Sequence, residues 1–76
     1  MTIVQLANIL KDMYENSNAE KTTMIHLFGI KYASIIKENG YTPKEILKIA
    51  DMPESYQTEI SKGIRLAKFV IAKDCN

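Results

Sequence analysis

The 76 residues suffice for one domain and not for two. Hydrophobic residues make up 46% and charged residues 25%, a balance that excludes a disordered chain. Ten Lys and Arg against nine Asp and Glu leave a net charge of +1, so a strongly acidic mimic is excluded and any charged partner depends on how the cations are distributed.

Four helical segments are predicted in chain order, at about 2–15, 22–39, 42–51 and 54–73. In the first, Ile3, Leu6, Ala7, Leu10, Met13 and Tyr14 recur at three and four residues and form one apolar stripe. Val4 and Ile9 widen that stripe, which predicts a helix covered on two sides. The polar run from Asn16 to Glu20 reads as a loop. The second helix is expected to start at a cap on Thr22 or Thr23. It is the most apolar segment, carrying Met24, Ile25, Leu27, Phe28, Ile30, Tyr32, Ile35 and Ile36, and it should form the centre of the fold. Gly29 costs it up to about 1 kcal/mol of helix propensity relative to Ala, which points to a bend or to the close approach of another helix. Asn39-Gly40 is a helix stop, with glycine suited to the left-handed conformation.

The third helix has the clearest local signal. Thr42-Pro43-Lys44-Glu45 is a capping box with proline at the first helical position. Tyr41, just ahead of it, is placed to act as a hydrophobic staple. After the break at 51–55, Tyr56, Ile60, Gly63, Ile64, Ala67, Val70 and Ile71 give the buried stripe of the fourth helix. No segment alternates with a period of two. The expected fold is therefore all-α, a compact four-helix domain.

The chain offers no machinery for catalysis. His26 is the only histidine and sits in the apolar second helix, where a structural role is expected. Cys75 is the only cysteine, so no internal disulfide and no metal-ligand spacing exists, and an idle thiol in a reducing compartment is expected. Lys21-Thr22-Thr23 lacks the upstream glycines of a phosphate-binding loop. Neither a signal peptide nor a membrane span is expected, which leaves the cytoplasm as the default location. No enzyme activity, cofactor or metal is expected.

Function is sought instead at the last two helices, which are separated by a turn of three or four residues. The third helix, in such a pair, props up the fourth, whose exposed N-terminal residues would be Ser55, Gln57, Thr58, Ser61 and Lys62. Glutamine can pair with adenine, and serine, threonine and lysine can bond base edges or phosphates. Lys62, Arg65, Lys68 and Lys73 lie between Ile60 and Lys73 with no acidic residue among them, a basic ridge suited to a phosphate backbone. Lysines near a helix C-terminus also complement the helix dipole, and a basic face is often only a solvated one. Glu54 and Glu59, near the N-terminal end of the same helix, would repel phosphate.

The stretch Pro43-Lys44-Glu45-Ile46-Leu47-Lys48-Ile49-Ala50-Asp51-Met52-Pro53-Glu54-Ser55-Tyr56 resembles the helix-turn-helix of small bacterial and phage DNA-binding domains. The resemblance covers about the last 35 residues. It departs from the usual pattern at Asp51, where the turn commonly holds glycine, and at Gln57, where an apolar residue is usual. It implies a non-enzymatic module that binds double-stranded DNA, with Ser55, Gln57, Thr58, Ser61, Lys62, Arg65 and Lys68 as the contacting residues. The alternative is a protein-interaction or homodimerisation module without nucleic-acid binding, motivated by the wide apolar surface of the first two helices.

Overall fold

A computed structural model describes residues 1–16 and 20–69. Four α-helices form where the apolar spacing is helical: α1 Ile3–Glu15, α2 Lys21–Glu38, α3 Pro43–Ala50 and α4 Gln57–Leu66. A single 3-10 turn, Glu54–Tyr56, precedes α4. No strand occurs among the described residues. The all-α architecture matches the periodicity of the sequence.

Two of the four helices begin with the same device. Thr42 Oγ1 accepts from the Glu45 amide, and the Glu45 carboxylate accepts from the Thr42 amide, which satisfies two amide donors that a helix start leaves open. Thr2 and Gln5 repeat the arrangement at the start of α1. The second helix departs from expectation. It starts at Lys21 behind Glu20, with no side-chain cap, and Thr22 and Thr23 lie inside it as exposed residues. The reason is tertiary. Lys21 Nζ donates to the Tyr14 carbonyl at 2.8 Å and lies 4.7 Å from the centre of the Tyr14 ring, so the end of α1 fixes the start of α2.

Helices α2 and α3 also end alike. Gly40 takes φ +68°, its amide donates to the Lys37 carbonyl, and the Tyr41 amide reaches back to Ile36. Asp51 takes φ +58°, its amide donates to Lys48, and the Met52 amide reaches back to Leu47. Both are Schellman turns, in which one left-handed residue lets two amides close the last helical turn. Met52 is buried in the core and Tyr41 packs against it, as the motif's accompanying hydrophobic contact requires. The Tyr41 hydroxyl also donates to the Met1 carbonyl at 3.2 Å.

The core lies between all four helices. Leu6 and Leu10 of α1, Ile25 and Phe28 of α2, Ile46 and Leu47 of α3, and Ile60 of α4 are fully buried. Each contributes roughly 1.5–3 kcal/mol by leaving water. Ile9 packs against this core, whereas Val4 remains 51% exposed, so α1 is covered on one side and its edge but not all round.

Helices α2 and α4 pack differently, through their backbones. A Cβ built on Gly29 would lie 2.6 Å from the Ile60 carbonyl oxygen, and one built on Gly63 would lie 3.0 Å from the Gly29 Cα. The Gly63 Cβ would also collide with the His26 carbonyl oxygen. Gly29 therefore marks a close helix approach, not a bend. The two glycines let the backbones touch where any side chain would hold them apart.

Candidate functional site

The turn of residues 51–53 and the 3-10 turn after it deliver the chain from α3 into α4. Asp51 stands where helix-turn-helix units commonly carry glycine, and its left-handed backbone shows that the position keeps the geometry glycine would supply. Aspartate tolerates that region better than most side chains do. The departure noted in the sequence is therefore a change of residue and not of turn.

Three contacts then set the position of α4. Its middle rests on α2 at Gly63. Its N-terminal end is tied to α1 by the Tyr14 and Tyr56 hydroxyls, 3.2 Å apart, with the rings edge to face at 5.5 Å between centres. Hydrogen bonding to Tyr14 is the main cause holding the Tyr56 hydroxyl above the ordinary tyrosine value of 10.0, with burial and the Tyr14 charge adding to it. Between these points, His26 Nε2 and Glu59 Oε1 meet at 2.5 Å across the α2–α4 seam. The Glu59 side chain is 24% exposed and also lies 3.9 Å from Lys62. Glu54 is exposed and lies 3.9 Å from Lys44.

The outer face of α4 carries the side chains left over. Thr58, Ser61, Lys62 and Arg65 are spaced at three and four residues and so share one side of the helix. Thr58, Lys62 and Arg65 are exposed and Ser61 is half-buried. Ser55 is exposed in the 3-10 turn at the N-terminal end of this face, and Gln57 is half-buried at the first position of α4. Lys68 is exposed but lies beyond Leu66, where α-helical geometry ends. The amides of Lys68 and Phe69 bond three residues back, to Arg65 and Leu66, which tightens the end of the helix. The predicted continuation through Val70 and Ile71 to Lys73 falls outside the described residues, as does Cys75.

Two shallow clefts flank the ridge made by Arg65. One, of about 500 Å³, lies between α4 and the end of α2, and it brings Lys37 and Tyr41 beside Ser61 and Arg65. The other, of about 420 Å³, is lined by His26, Lys62, Arg65, Leu66 and Phe69. Sequence reasoning missed Lys37, because only packing of α2 on α4 brings it there. Leu66 and Phe69 carried a legible signal: both fall off the apolar stripe of the fourth helix. They are accordingly exposed, Phe69 by 82%.

Among the described residues, no group of three His, Cys, Asp or Glu side chains is placed to hold a metal ion. No helix among them is long and apolar enough to cross a membrane. No curated protein and no solved structure matches the chain. A family model described as an HTH-like domain matches residues 2–73, which extends the resemblance from the C-terminal half to nearly the whole chain. The match spans nearly all of the chain, and the chain belongs to the family of HTH-like domains.

Proposed function

We propose that the domain binds double-stranded DNA, with α4 as the helix that enters the major groove. The observation that carries this reading is the outer face of α4. Thr58, Ser61, Lys62 and Arg65 lie together there, while the carboxylate of the same helix is engaged by His26 on another side. Arg65 has no ion-pair partner among the described residues. Ser55 and Gln57 extend the face toward base edges, and Lys68 adds a cation beyond the helix end. Arginine and lysine supply phosphate contacts, and threonine, serine and glutamine supply donors and acceptors for bases.

The test is a titration with duplex DNA across a range of salt concentrations. Each phosphate contact lowers the logarithm of affinity by about 0.9 per logarithm of salt. Reversing charge at Lys62, Arg65 and Lys68 together is expected to weaken binding by at least tenfold at low salt and to flatten the salt dependence. Equal affinity in a folded triple variant sinks the reading.

A second reading has one observation in its favour. Leu66 and Phe69 place exposed apolar surface beside the same ridge, as a self-associating module would. Light scattering over a wide concentration range decides it, and a strict monomer removes it.

A further inference from the structure

The cleft between α4 and the end of α2 has a chemistry of its own. Ser61 and Arg65 form one wall, and Lys37, in the last turn of α2, stands on the other. Ile36, Tyr41 and Ile64 supply apolar surface between them. No carboxylate lines the cleft, and Glu38, next to Lys37 in sequence, is not among its residues. Neither Lys37 nor Arg65 has an ion-pair partner among the described residues. Two cations and a hydroxyl therefore converge on a depression that contains no anion.

The cleft is also continuous with the outer face of α4, since Ser61 and Arg65 belong to both. A helix seated in a major groove about 12 Å wide has a sugar–phosphate strand along each side. The element bordering α4 on this side is the end of α2, with the turn that follows it. A strand passing there meets Arg65 from α4 and Lys37 from α2, with apolar surface against its sugars.

We infer that Lys37 is a phosphate contact contributed by α2, and that the cleft between Lys37 and Arg65 seats one strand of the duplex that α4 reads. This rests on the DNA-binding reading and adds to it a residue outside the helix-turn-helix unit. A phosphate contact fixes position and carries no base information. Lys37 thus sets how far α4 turns in the groove, without selecting its sequence.

The experiment compares the whole chain with Lys37→Gln, Lys37→Arg and Lys62→Gln, each titrated with one duplex at several salt concentrations. Lys37 is exposed, so thermal unfolding of its variants should match the parent and serve as the folding control. Lys37→Gln is expected to lose about three- to tenfold in affinity at low salt and to reduce the salt slope by about 0.9, one phosphate contact. Its relative affinity for duplexes of different sequence should be unchanged, and Lys37→Arg should restore the slope. A parent chain without salt-dependent DNA binding overturns both this inference and the reading beneath it. A parent that binds, with a reduced slope in Lys62→Gln and the full slope in Lys37→Gln, overturns the inference alone. A changed sequence preference in Lys37→Gln also overturns it.

Discussion

Helices α1 and α3 and helices α2 and α4 are built by different means. The first pair begins with capping boxes on Thr2 and Thr42, and it meets through large side chains such as Leu6, Leu10, Ile46 and Leu47. The second pair has no side-chain N-cap on either helix and meets backbone to backbone at Gly29 and Gly63, with His26 and Glu59 across the seam. The starts of α1 and α3 are specified by residues three positions apart, whereas nothing local caps α2 or α4. Both pairs dock through residues more than thirty positions apart, the first by side chains and the second by backbone. The difference places the helix with the candidate contact face in the pair without local caps.

Four measurements would break or sharpen this contrast, and the largest effect is expected in the side-chain-packed pair. Leu10→Ala should cost about 3 kcal/mol in urea unfolding, since a fully buried leucine leaves a cavity that its neighbours fill only in part. For a domain of this size that corresponds to a fall of about 15 °C in Tm.

In the backbone-packed pair the opposite change is damaging. Gly63→Ala should gain about 1 kcal/mol of helix propensity and still come out less stable by about 2 kcal/mol, because the added methyl meets the backbone of α2. A stabilised Gly63→Ala variant would show that the helices are not in contact there, and the contrast would fail.

The cap on α3 is a smaller and local term. Thr42→Ala is expected to cost about 1 kcal/mol, read from the shift in denaturation midpoint at constant slope. The smallest effect is alkaline. The Tyr56 hydroxyl is raised above its unfolded value of 10.0, so its contribution is fully present below about pH 10 and is lost as pH rises through the folded value. Tyr14→Phe removes the main cause of that shift, and the alkaline decline in stability should become shallower. An identical decline in that variant would assign it to other groups.

The same contrast explains what could be read from the sequence. The start of α3 was legible because Thr42, Pro43 and Glu45 are consecutive or nearly so. The end of α2 was legible from Gly40. Neither Lys21 as the first residue of α2 nor the 3-10 turn ahead of α4 was legible: Lys21 contacts Tyr14 of α1, and the 3-10 turn ends on Tyr56, which packs on the same Tyr14. Helical spacing was enough to place Thr58, Lys62 and Arg65 on an exposed side of α4, whereas Gln57 and Ser61, expected to be exposed, are half-buried. The partnership of His26 with Glu59, and the place of Lys37 beside Arg65, needed α2 and α4 to be docked first. Local chemistry writes itself into neighbouring residues, and docking does not.

The outer side chains of α4 have one further consequence. Thr58, Ser61 and Arg65 make no side-chain hydrogen bond or ion pair to the rest of the described chain, and Lys62 has only a 3.9 Å approach to Glu59. The helix is held by its inner side, at Ile60, Gly63 and Glu59. Mutation can therefore rewrite the outer positions while the scaffold stays as it is. A library randomised at 58, 61, 62 and 65 should yield mostly folded members, because the residues that dock the helix are not among those varied.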